Sequence, residues 1–199
     1  MSNAPDLKSP FFRSLIVNNR PHLDNFKQWI FLPGMLFNSL DKWWGDQGRR
    51  ATPHEGLDLC SFEEVNGSIK NLGPHTKLAA AFAGEIVKIA PDFLGKSIYI
   101  SHAIFDGHGR QLYSAYGHTI PRDSLQIGST VAEGETIAVI SKLSGKKLSI
   151  LPHVHITFAW VPVPVDNHDL NWDNLGKNPD LTLIDPLSVL EMDSPDGLL

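Results

Sequence analysis

The chain of 199 residues contains one cysteine, Cys60, which excludes an intramolecular disulfide framework and any Cys-rich zinc ribbon or iron–sulfur centre. It also lacks an apolar run approaching the roughly 20 residues that cross a bilayer as a helix, so no transmembrane segment is expected. The start, MSNAPDLKS, has neither the basic n-region nor the apolar h-region of a signal peptide. Ser2-Asn3-Ala4 resembles the remnant of a cleaved expression tag, which leaves open a native leader ahead of Pro5. Basic charge is scarce as well. Against 22 Asp and Glu there are 17 Lys and Arg, a net charge of −5 with no dense basic run. Nucleic acid is therefore not an expected partner, because phosphate-backbone binding leaves a basic footprint. With 42% hydrophobic and 20% charged residues, the composition excludes disorder and suits one domain with a sizeable core.

Aromatic residues crowd the first fifty positions: Phe11-Phe12, Trp29 to Leu32, Met35 to Phe37 and Trp43-Trp44, punctuated by Pro21, Pro33 and Gly34. Residues 1–49 are thus expected to form an extension packed on the rest rather than to fold alone. Short helices are expected over Asp24 to Phe31 and over Asn38 to Trp44, where Phe37, Leu40 and Trp44 fall on one helical face. From Gly56 onward the pattern becomes short β-type runs separated by Gly, Pro, Asn and Asp. Strands are expected at Leu57–Cys60, Lys77–Ala81, Glu85–Ile89, Ser97–His102, Leu112–Tyr116, Thr136–Ile140 and His153–Trp160. Ser141 to Pro152 and Asp166 to Asp180 read as loops, and Val-Pro-Val-Pro-Val after Trp160 as an edge or extended tail. The fold class that follows is all-β.

Nine histidines occur, several of them in short motifs. In His153-Val154-His155-Ile156-Thr157-Phe158, strand alternation places both imidazoles on one face and the apolar groups on the other. Same-face neighbours lie about 7 Å apart at Cα, near enough for one ring to ligate a metal and the other to stand beside it. His54-Glu55-Gly56-Leu57-Asp58 offers another imidazole and a carboxylate. A helical H-E-x-x-H-like reading fails there, because Pro53, Gly56 and the following alternation favour a turn entering a strand. His54, Asp58 and one histidine of the later pair make a His₂Asp set, and three protein ligands leave an open position, the catalytic rather than the structural zinc pattern.

The ordered strings H54-E-G-L-D58, Y116-G-H118 and H153-V-H155 resemble the H-x-x-x-D, Y-x-H and H-x-H motifs of the lysostaphin/LytM-type zinc metallopeptidases, which cut bacterial peptidoglycan. Thr76 to Val87, Ile127 to Ile137 and Ile184-Asp185-Pro186-Leu187 extend the likeness, so that it covers roughly residues 50–190 and leaves 191–199 as a tail. The resemblance implies a mainly antiparallel β-sandwich or barrel of the LytM-like duplicated-hybrid-motif type, with an open groove. It implies one Zn²⁺ per chain held by His54, Asp58 and His155, with His118 and His153 as catalytic histidines beside the activated water. It also implies a peptidoglycan stem-peptide or cross-bridge substrate and an extracytoplasmic location. Departures fall at Ser141 to Leu151, where the family has a glycine-rich stretch, and at Ile156-Thr157, where it often has Phe-Glu. Longer segments at Glu63 to His75 and Ala103 to Gln111 are candidates for groove walls.

Bland readings suit other candidates. Cys60 fits a small buried hydrophobe better than a fourth ligand, and His102 divides between a structural role and support of the site. His22, His75, His108 and His168 read as solvated loop residues, and Lys142, Lys146 and Lys147 as a solvated loop. Trp43 and Trp44 fit core packing better than a substrate cleft, and Asn38 is a candidate latency ligand. Two rival functions remain: a non-catalytic LytM-like module that binds the wall or activates an amidase, and a histidine phosphocarrier domain, in which Asp58 has no evident use.

Overall fold

A computed structural model of the chain describes residues 5–142, 150–166 and 169–192. In chain order its elements are α1 (Phe11–Asn18), β1 (Phe26–Ile30), a 3-10 turn at Pro33–Met35, β2 (Leu57–Leu59), β3 (Ser61–Glu64), β4 (Ile69–Asn71), β5 (Lys77–Ala79) and β6 (Gly84–Pro91). They continue with β7 (Lys96–Phe105), β8 (Gln111–Pro121), β9 (Thr130–Val131), β10 (Thr136–Ile140), β11 (Val154–Val161), α2 (Trp172–Leu175), β12 (Thr182–Ile184) and α3 (Pro186–Val189). The paired strands are antiparallel throughout, so the fold is all-β with short helical additions. Among the described residues no helix is long and apolar enough to cross a membrane.

The main sheet runs β12-β11-β8-β7-β6-β9, with β2 alongside β11 and β10 joining β5 to β8. Alternation divides β11, the strand between β8 and the β2/β12 edge, into two buried faces. Val154, Ile156 and Phe158 point into the core at 0% exposure, while His155 and Thr157 fill the opposite face. One edge of β8 serves two partners in succession. Residues up to Gly117 pair with β11, and Thr119 to Pro121 pair with β10. His118 lies at the handover with φ of 64°, a left-handed conformation that leaves room for neither ladder to continue through it.

The N-terminal aromatics complete the core. Phe11, Phe12, Leu15 and Ile16 share one face of α1, and Pro10 stands at its start. That face is buried with Leu78, Tyr116 and Ile137, each large side chain contributing about 1.5–3 kcal/mol of hydrophobic free energy. Phe12, Phe26 and Phe62 all pack against Trp29, with ring centroids 4.6–6.3 Å apart. A reciprocal pair tethers the end of α1: Asn19 Nδ2 donates to Lys77 O at 2.9 Å and Lys77 N–H donates to Asn19 Oδ1 at 2.8 Å.

Both helices expected in the extension are absent. Residues 26–30 form β1, a strand paired with β3. The three-residue spacing of buried Phe26 and Trp29, which imitates a helix, arises from a register shift between Phe26 and Gln28. Residues 38–44 run as irregular chain with a bridge from Asp41 to Arg49; Asn38 takes φ of 62°, and a side chain at Gly34 would run into Trp43 N at 2.6 Å. Trp43 is buried there and Leu40 is exposed, the reverse of a Phe37/Leu40/Trp44 face. The expected Asp166–Asp180 loop contains α2, and its Leu170 and Leu175 are buried.

Candidate metal centre

Register delivers the central cluster. His155 on β11 lies opposite Asp58 on β2 and opposite Gly117 on β8. His54 reaches the same point from the turn before β2. That turn passes so close to β11 that a Cβ on Gly56 would strike Ile156 O, Thr157 Oγ1 and His155 Nε2. The H-x-G-x-D string therefore carries its glycine for close approach. His54, Asp58 and His155 are all buried.

Their facing atoms form a small triangle. His54 Nε2 is 3.1 Å from His155 Nδ1 and 3.3 Å from Asp58 Oδ1, and His155 Nδ1 is 2.8 Å from Asp58 Oδ1. Four ligands at zinc's usual 2.0–2.2 Å in a tetrahedron stand about 3.3 Å apart, close to these edges. Outer partners fix the ring nitrogens. His54 Nδ1–H donates to Leu36 O at 3.0 Å, and His155 Nε2 lies 3.0 Å from Thr157 Oγ1, contacts that turn His54 Nε2 and His155 Nδ1 toward Asp58. Two ring nitrogens then face each other beside a carboxylate oxygen. Without a cation, a ring proton bridges this cluster to Asp58; loss of that proton leaves three converging ligand atoms, so the donor set fits a divalent metal.

Asp58 is held from behind. Trp43 Nε1–H donates to its Oδ2 at 2.7 Å, and Arg50 Nη2 approaches the same oxygen at 3.3 Å while also reaching Gly34 O at 3.0 Å. Burial alone would raise this carboxyl, but the hydrogen bonds from His155 and His54 outweigh it and hold the group well below the usual carboxylate range. Burial also lowers the His155 ring, against the pull of Asp58.

His153 and His118 stand beside the triangle, their rings 4.7 Å apart. His153 Nδ1–H donates to Leu151 O at 2.8 Å, and its Nε2 is 3.9 Å from Asp58 Oδ1. Burial brings its pKa down to about 4, with Asp58 opposing, so the ring is neutral near pH 7. His118 packs edge-on against the exposed ring of Phe93, with centroids 5.5 Å apart. These groups floor an open pocket of about 300 Å³, walled by Trp44, Arg50, Glu55, Phe93, Ile150 and Trp172. Imidazoles beside a cation-binding triangle in an open cleft can exchange protons with a bound water or leaving group.

The structure thus brings together all five residues singled out by the histidine motifs. It separates others. Cys60 is buried with Met35, Trp43, Leu94 and Ile150, and burial pushes its thiol up to about 11. His102 bonds Ala83 O and Ser114 Oγ and packs on Phe82, so its role is structural. Asn38 is exposed, and its N–H donates to His54 O at 2.8 Å. The segments 63–75 and 103–111 contribute nothing to the pocket lining. Lys146, Lys147 and His168 lie outside the described residues. Asp92, Arg50 and Trp172 escaped the sequence reading. Only Asp92 had a local signal, the Asp-Phe-Leu-Gly spacing of a turn whose first carboxylate caps its own backbone.

The chain matches no family model and no curated protein sequence. Solved structures similar to it include CbpA from L. salivarius REN, 15% identical over 90% of this chain and 91% of that one, with a TM-score of 0.47. Lysostaphin is 15% identical over 97% of this chain, which spans 61% of the lysostaphin chain, with a TM-score of 0.46. LytU is 18% identical over 80% of this chain and 87% of that one, with a TM-score of 0.45.

Proposed function

We propose that the chain is a zinc-dependent endopeptidase of the lysostaphin/LytM type that hydrolyses amide bonds in peptidoglycan stem peptides or cross-bridges outside the cytoplasm. The observation that carries this reading is the triangle of His54 Nε2, Asp58 Oδ1 and His155 Nδ1, three converging ligand atoms that fit a cation beside an open pocket. His54, Asp58 and His155 would hold one zinc per chain. When bound, zinc supplies Lewis acidity and brings the pKa of water toward about 7.

The protein's own groups do the rest. His153 is fixed by Leu151 O so that its Nε2 faces the cluster, ready to accept or return a proton. His118, on the other side, can take the complementary part, donating to the developing oxyanion or to the leaving amine. Trp43 and Arg50 keep Asp58 in place, and Leu36 and Thr157 keep the two ligand rings turned inward. Apolar walls at Phe93, Ile150 and Trp172 exclude water from a bound peptide. The order of the three sequence motifs supports the choice of a cell-wall peptide over other amides.

Digestion of purified peptidoglycan by the zinc-loaded protein tests the reading. New amino termini, identified by mass spectrometry and abolished by a chelator, are expected. Release of none by a fully zinc-loaded sample would contradict it. A wall-binding effect that survives His54→Ala would favour the non-catalytic module instead.

A further inference from the structure

Asp92 is saturated with donors although it lies outside the metal triangle. Its Oδ1 accepts Leu94 N–H at 2.9 Å and Gly95 N–H at 2.6 Å, and its Oδ2 accepts Ser97 Oγ–H at 2.7 Å and His118 N–H at 2.8 Å. Ser97 is 1% exposed, and its hydroxyl in turn accepts Trp172 Nε1–H at 2.8 Å. With its acceptor side taken by the indole, the one hydroxyl proton is directed at Asp92. Trp172 also stands edge-on to His155, with centroids 4.7 Å apart at 88°, in space that a side chain at Gly117 would obstruct.

His118 needs such support. At φ of 64° a non-glycine residue is strained, and persists only where its surroundings over-determine it. Its backbone is gripped on both sides, N–H by Asp92 and C=O by Ser141 N–H at 2.9 Å. Its ring Nδ1 lies 3.3 Å from Asp92 Oδ1, facing the carboxylate but not aligned for a hydrogen bond, as often holds before substrate binds. A carboxylate there favours the proton on Nδ1 and leaves Nε2 free toward the pocket.

We propose that Trp172, Ser97 and Asp92 form a buried hydrogen-bonded relay that positions His118, so that the Trp172 segment sets the geometry of the proton-transfer histidine from outside the reacting atoms. The inference rests on the proposed role of His118, but its test reads the ring directly. Histidine-labelled full-length protein, zinc-loaded, is compared by nitrogen NMR with Trp172→Phe and Ser97→Ala, neither of which removes a group that touches the metal triangle through a hydrogen bond. In the wild type, His118 is expected to carry its proton on Nδ1. Both variants should shift the His118 ring toward a tautomeric mixture, with His54 signals and zinc content retained, and with His155 signals retained in Ser97→Ala, which leaves the Trp172 ring beside His155 in place. Where peptidase activity is measurable, kcat of Ser97→Ala, which leaves the pocket lining intact, should fall by roughly 10- to 100-fold with KM within about twofold. His118 signals that superimpose on wild type in both variants overturn the relay. So does a general displacement of all histidine signals, which would mark a structural rather than a positioning role. A wild-type protein that cleaves no peptidoglycan while its His118 ring responds as stated refutes the peptidase reading and supports the relay.

Discussion

Trp43→Phe isolates one hydrogen bond behind the metal triangle. The indole is 8% exposed, packs edge-on against His153 at 5.1 Å and donates Nε1–H to Asp58 Oδ2 at 2.7 Å. Phenylalanine keeps most of the packing and deletes the donor. Partners of metal-ligating groups are typically worth 10- to 100-fold in metal affinity. Arg50 Nη2 remains on the same oxygen at 3.3 Å, so the loss should fall at the low end, about tenfold or about 1.4 kcal/mol. Adding Arg50→Met should bring the total toward 100-fold, because Asp58 Oδ2 would then be buried with no donor. Competition with a chelator of known zinc affinity measures both. An unchanged zinc affinity in the double variant would refute the claim that these two side chains hold Asp58 as a ligand.

His118→Ala should retain zinc and lose about 10²- to 10⁴-fold in kcat, measured by steady-state hydrolysis of a cross-bridge peptide; an unimpaired enzyme would remove His118 from the chemistry. Gly56→Ala forces a Cβ into Thr157 Oγ1 and His155 Nε2, at 2.6 and 2.7 Å, so chemical denaturation should show a loss on the order of 2 kcal/mol together with weakened zinc binding. For pH, burial lowers His102 from 6.5 to about 4. The unfolded chain therefore binds the extra proton between those values, and stability should be full above about 6.5 and decline as pH falls toward 4, by up to roughly 3 kcal/mol from this group. Urea unfolding of His102→Gln should show a shallower slope across that window than wild type, and identical slopes would contradict the assignment.

Much of this arrangement was legible in the residues. The alternation through His153–Phe158 fixed which side chains of β11 meet the core and which meet the metal triangle, because period-two burial is a direct consequence of strand geometry. Gly56, read as a helix breaker, also proved to be the point of close approach to β11. The extension was harder to read. A bulge gave Phe26 and Trp29 the spacing of a helix, and the path of residues 38–44 depends on a glycine contact with Trp43 that has no local signature. The outer supports were hard to read for a similar reason, the turn signal at Asp92 giving no hint of its partner. Trp43, Asp92 and Trp172 come from segments separated by tens of residues, and only the packing of the sheet brings their polar atoms onto Asp58, His118 and Ser97.

The most direct test of the central claim is the zinc content of the purified chain by elemental mass spectrometry, with His155→Ala alongside. The account predicts about one zinc per wild-type chain and a loss of that zinc in the variant. A wild-type protein that takes up no zinc on reconstitution, or a His155→Ala variant that holds it equally well, would contradict the His54, Asp58 and His155 site.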